Sequence, residues 1–134
     1  MLSEKNRQQY EELNLKLAKL QNLAGQDNLD KVALSARHQE LQDFFGNLIV
    51  ALDEAQLSPA EESQVQSYTT EIHKQLRLMG MDITFLQASR SDGTTQIRKK
   101  AISDRLQTIM DYCSSLLTKT ESTTAENSHQ DEKP

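Results

Sequence analysis

The chain has 134 residues, of which 36% are hydrophobic and 4% aromatic, with no tryptophan, four glycines and two prolines. That is the length of one domain, able to bury roughly two thirds of its surface in a core built mainly from leucine, isoleucine and alanine. A net charge of −5 excludes the basic footprint of a general nucleic-acid binder, and a single cysteine, Cys113, excludes an internal disulfide.

The first segment, about Ser3 to Ala24, places Tyr10, Leu13, Leu17, Leu20 and Ala24 at alternating steps of 3 and 4, the spacing of one helical seam. Ser3 is its expected N-cap, and Gly25 stands where a C-cap glycine belongs. "GQDN" then forms a short loop. The second segment, about Asp30 to Ala55, carries Leu34, His38, Leu41, Phe45, Leu48 and Leu52 on one stripe. "SPAE", Ser58 to Glu61, opens the third with a capping box and a proline at the first helical position, where its missing N–H costs nothing.

The third stripe, Val65, Tyr68, Ile72, Leu76, Met79, Ile83 and Leu86, continues to about Arg90. It predicts a helix of ~32 residues and ~48 Å. Gly80 inside it costs ~1 kcal/mol against alanine and is either a tolerated defect or a place of close helix contact. "SDGT", Ser91 to Thr94, reads as a turn with Gly93 at its tip. The fourth segment, about Thr95 to Thr118, has Ile102, Leu106, Ile109, Cys113 and Leu116 on its stripe. No segment alternates like a strand. The fold expected is all-α: an antiparallel four-helix up-and-down bundle over residues 1–118, with one long central helix. Residues 119–134 are polar and aperiodic and are expected to form a disordered tail.

The charged start of the chain lacks the apolar run of a signal peptide, and no run approaches the ~18 apolar residues of a membrane span. With the unpaired cysteine, this places the protein in the cytoplasm, with no membrane insertion and no nucleic-acid partner expected.

Little in the sequence points to chemistry. The Glu-x-x-His spacing of Glu126 and His129 falls in the polar tail. His38 and His73 have no histidine partner at helical spacing, so neither a di-iron nor a zinc site is supported. Cys113 lies on a core position and reads as a small buried hydrophobe. There is no phosphate loop and no serine elbow. The expectation is a protein that is not an enzyme and holds no metal or cofactor.

The surface says more. In the third segment Leu78, Met81 and Phe85 form a second apolar stripe, away from the main one. It is either wrapped by the bundle or a self-association face that makes a homodimer. Asp82 sits between the stripes and, in a hairpin pivoting near Asp92–Gly93, lies level with Arg105, so a structural ion pair is expected. Arg90 closes the segment, and Arg98, Lys99 and Lys100 open the next. Cations in a first helical turn oppose the helix dipole. The four are either solvated ends or a basic patch for an acidic segment of a partner protein.

"EIHKQLRLMGMDITFLQASR", followed by "TTQIRKKAISDRLQTIMDYC", resembles the C-terminal half of the PatD family, small helical cyanobacterial proteins named for control of heterocyst frequency. The residues that carry the resemblance include Glu71, His73, Arg77, Asp82, Phe85, Arg90, Arg98, Arg105 and Cys113. The resemblance implies a non-enzymatic regulator that modulates assembly of the tubulin-like division protein FtsZ, and it marks His73 and Arg77, with Arg90, for partner contact. Gly80 and the long tail depart from the family's expected pattern. The competing reading is a homodimeric scaffold or chaperone-like module that binds an amphipathic helix of another protein.

Overall fold

The computed structural model describes residues 2–52 and 57–132, with side chains as far as residue 118. Its described residues form four helices and no strand: α1 (Glu4–Ala24), α2 (Lys31–Val50), α3 (Pro59–Ala88) and α4 (Asp92–Glu132). α1 packs on α2 and α4, and α3 packs on α2 and α4.

Each helix starts where a side chain can satisfy its orphan N–H groups. Ser3 Oγ accepts from the Asn6 N–H at 3.1 Å, and Asp30 Oδ1 from the Ala33 N–H at 3.0 Å. The Ser58–Glu61 capping box is formed in both directions, with Pro59 at the first position. Gly25 caps α1 with φ −83°, a right-handed conformation, so its freedom to adopt positive φ is not used there.

Three boundaries differ from the sequence reading. The "SDGT" turn is absorbed into α4, because Ser91 Oγ accepts from the Thr94 N–H at 3.2 Å and starts the helix at Asp92. Only Ser89, Arg90 and Ser91 then link α3 to α4. At the other end α4 continues to Glu132, where a disordered tail from residue 119 was expected. No glycine or proline interrupts residues 94–132, and extending an existing helix is far cheaper than nucleating one. The expected end of the second segment at Ala55 lies outside the described residues; α2 itself closes at Val50.

The core is built from the stripes read from the spacing, except that Leu52 and Tyr68, expected on them, are only partly buried. Tyr10, Leu13 and Leu17 of α1, Leu34 of α2, Ile72, Met79 and Leu86 of α3, and Ile102, Leu106, Ile109 and Cys113 of α4 are all fully buried. Tyr68 and Tyr112 lie outside this layer, their rings tilted against each other with centroids 5.3 Å apart. Burial raises the Tyr10 phenol and the Cys113 thiol, each to about 12.

Gly80 is a close-contact position. His38, buried on α2, donates from Nε2 to the Leu76 carbonyl of α3 at 2.8 Å. That carbonyl can only accept, so Nε2 carries the proton. A Cβ on Gly80 would stand 2.9 Å from His38 Cε1. The ring cannot retreat without losing its bond to Leu76. Gly46, on α2, has nothing within 4 Å of a Cβ position. Gly46→Ala should therefore stabilise the protein by about 1 kcal/mol, the helix-propensity difference. Gly80→Ala should destabilise it by about 1–3 kcal/mol, because overpacking outweighs propensity. Urea unfolding midpoints of the two variants test the pair; a Gly80→Ala variant more stable than wild type would remove the steric argument.

Candidate functional site

Three of the charged residues singled out in the sequence, Asp82, Arg98 and Arg105, meet at the α3–α4 interface. Asp82 is buried at 5% exposure, among apolar neighbours of the α3 core stripe. Left alone there, its carboxylate would be costly. Arg105 Nε of α4 donates to Asp82 Oδ2, and Arg105 Nη1 donates to Gln75 Oε1 at 3.1 Å. Arg98 stands on the other side, its Nη1 3.7 Å from Asp82 Oδ1. Gln75 and Asp82 are seven residues apart, as are Arg98 and Arg105, two helical turns in each case. One carboxylate thus meets two guanidinium groups, leaving a local charge of +1.

Phe85 extends the cluster towards solvent. The Arg98 guanidinium carbon lies 4.6 Å from the centre of its ring, a cation–π stack. Phe85 is 47% and Met81 52% exposed, while Leu78 is half-buried. Ile97 of α4 is also exposed. The second stripe of α3 is therefore half-covered at Leu78 and open at Met81 and Phe85.

The other basic residues do not share one patch. Lys99, expected among the exposed cations, is buried, and its Nζ donates to the Gln26 carbonyl in the α1–α2 loop at 2.6 Å. Consecutive helical residues are ~100° apart, so Arg98, Lys99 and Lys100 cannot face the same way. Lys100 is exposed and pairs with Asp104 on its own helix at 3.1 Å. Arg90 is exposed in the α3–α4 link and has no ion pair among the described residues. Because α4 starts at Asp92, Arg98 lies beyond its first turn. The dipole misfit inferred from the sequence is relieved, and an acidic residue opens the helix instead.

His73 and Arg77 are exposed on α3. His73 lines a cleft of about 420 Å³ between α2 and α3, with Phe45, Gly46, Ile49, Thr69 and Thr70. His73, Arg77, Met81 and Phe85 follow one another at steps of four, each turned ~40° from the last. That arc carries them from the α2 edge of α3 to its α4 edge, so His73 and Arg98 occupy opposite borders of one exposed face. A second cleft, about 500 Å³, lies between α1 and α2 and is lined in part by Lys16, Lys19 and Arg37. No group of three or more His, Cys, Asp or Glu side chains among the described residues is placed to share a metal ion. No helix among them is long and apolar enough to cross a membrane.

Several contacts were missed by reading the sequence, among them that of Arg98 with Asp82 and Phe85 and those of Asn6, Gln75 and Lys99. Asn6, buried at the start of α1, donates to Gln9 Oε1 at 2.9 Å and to the Ala51 carbonyl at 3.2 Å. Gln75 completes the Arg105 site. Lys99 anchors the α1–α2 loop. Of Asn6, Gln75 and Lys99, only Gln75 had a visible signal, its seven-residue spacing from Asp82.

Asp82→Ala should destabilise the protein by about 2–3 kcal/mol, below the ~3–5 kcal/mol of a fully buried pair because both arginines are partly exposed. Asp82→Asn should cost less, since the amide oxygen can still accept from Arg105. A double-mutant cycle with Arg105→Gln, read by urea unfolding, measures the coupling; additive losses would deny the pair any role. Stability should also depend on alkaline pH. The Cys113 thiol and Tyr10 phenol ionise more readily unfolded than folded, so the stability they supply is complete below about pH 8 and is lost as pH rises towards about 12. Thiol labelling at pH 8 should be slow in buffer and fast in denaturant; rapid labelling of the native protein would contradict the burial of Cys113. No protein-family model matches the chain, and no curated protein or solved structure does.

Proposed function

We propose that the chain is a non-enzymatic regulator of the kind its resemblance to the PatD family implies. In this reading it acts in the cytoplasm by binding FtsZ and modulating its assembly, which in cyanobacteria bears on heterocyst frequency. The observation that favours protein binding is the border of α3 and α4, where Phe85 and Met81 are exposed beside the oriented guanidinium of Arg98. Aromatic and arginine side chains dominate the binding energy of protein interfaces.

We further read the four helices as an antiparallel up-and-down bundle in which α3, expected from the sequence as the long central helix, is 30 residues long and lies between α2 and α4. Asn6, near the start of α1, bonds to Ala51 just past α2. Gln21, near the end of α1, reaches Ser103 of α4, whereas Asn14, earlier in α1, reaches Ser114. Residue numbers rise along one helix as they fall along the other, which supports antiparallel neighbours. The second reading, a homodimeric scaffold joined through Leu78, Met81 and Phe85, is favoured by the exposure of Met81 and Phe85.

Co-sedimentation with FtsZ polymerising in GTP, at low and at high salt, tests the first reading. Co-pelleting or a change in polymer mass, weakened by salt, is expected, since exposed charge contacts are screened. No effect at either salt would overturn it. Analytical ultracentrifugation over a range of concentrations tests the second reading, for which a strict monomer is the contrary result.

A further inference from the structure

The surplus cation at the α3–α4 border defines what that surface can hold. Asp82 carries one negative charge and is already engaged by Arg105, which also has Gln75. Arg98 therefore shares a carboxylate that is largely satisfied, at the longer distance of 3.7 Å. Its guanidinium is held by Phe85 on one face and Asp82 at one edge, and its side chain remains 35% exposed. A guanidinium has five N–H donors in a rigid fork. Most of those of Arg98 are uncommitted, and the fork is positioned before any ligand arrives. Next to it lie Phe85 and Met81, about half exposed, and Arg90 stands in the adjoining link.

We propose that this surface, centred on Arg98, Phe85 and Met81, binds an acidic peptide segment that carries an apolar anchor. A Glu or Asp carboxylate of the segment pairs with the free donors of Arg98. Its leucine, methionine or aromatic side chain covers Phe85 and Met81. Charge complementarity selects the occupant: a local charge of +1 on a protein whose net charge is −5 favours an anion, and the apolar pair beside it favours an anion with a hydrophobic neighbour. A nucleic-acid phosphate backbone would use the first feature and not the second, and would meet the repulsion of the whole protein. Tightening of the Arg98 contact costs little, because stacking on Phe85 has already restricted the side chain. The inference deepens the protein-binding reading above and rests on it for the identification of this face.

The test uses the full-length protein and a fluorescein-labelled synthetic peptide that alternates glutamate with leucine and phenylalanine, followed by fluorescence anisotropy and by amide chemical shifts. The expected result is saturable binding that weakens with salt and perturbs the signals of Met81, Phe85 and Arg98. Arg98→Gln should weaken it by about tenfold or more, the loss of one charge-assisted contact. Arg98→Lys should lose affinity despite keeping the charge, because the fork and the stack are gone. Phe85→Ser, at an exposed position, should weaken binding without unfolding the protein, and far-UV circular dichroism monitors the fold of each variant. Equal binding of a peptide with glutamine for glutamate, or unchanged affinity in both Arg98→Lys and Phe85→Ser, overturns the proposal. So does a protein whose face is closed by a second copy, seen as a dimer that takes no peptide. The two readings fail separately. Peptide binding that depends on Arg98, without any effect on FtsZ, would retain the surface and discard FtsZ. FtsZ pelleting indifferent to Arg98→Lys and Phe85→Ser would retain FtsZ and discard the surface.

Discussion

The buried carboxylate of Asp82 fixes how α3 and α4 meet. Among apolar neighbours it must be paired, and Arg105 and Arg98 reach it from two successive levels of α4. A sliding of one helix past the other by a turn would leave a buried charge against carbon. Hydrophobic stripes alone tolerate such slips, since leucine packs against leucine in several registers. The ion cluster does not, and it thereby sets the level at which Phe85, Met81 and Arg98 come together. On this view a single acidic residue gives the hairpin its register and its exposed face its charge.

A similar logic operates between α2 and α3. His38 replaces a hydrophobe on the α2 stripe, and its donor must be satisfied inside the core. The Leu76 carbonyl supplies the acceptor, and Gly80 supplies the space beside the ring. The unfavourable helix propensity of Gly80 is the counterpart of this contact. The two polar insertions, His38 and Asp82, thus pin α3 to a different neighbour each, where leucine-rich stripes would provide attraction without a unique alignment.

Two edges of α3 remain distinct in consequence. On the α2 side, His73 borders an apolar cleft opened by Gly46. On the α4 side, Arg98 stacks on Phe85. His73 stands at the first edge and Arg98 at the second, yet the charge surplus and the exposed apolar pair coincide only at the second. That coincidence is why the proposed partner surface is placed there rather than along the cleft.

The sequence by itself determined the four helical segments and their buried stripes, because a period of 3.6 residues and alternating steps of 3 and 4 are local properties of the chain. It also determined the Ser58–Glu61 cap, which needs only neighbours three residues away. The pairing of Asp82 with Arg105 could be anticipated from an assumed hairpin, although the true link is shorter and brings Arg98 to the same carboxylate. Only the tertiary structure decided the fates of Lys99, Gly80 and Asn6. Each depends on what a distant segment presents to it: the Gln26 carbonyl, the His38 ring and the Ala51 carbonyl. Only the tertiary structure, too, separated Leu78, which is half-covered, from Met81 and Phe85, which are open. A stripe on a helical projection records direction, and exposure depends on which neighbour occupies that direction.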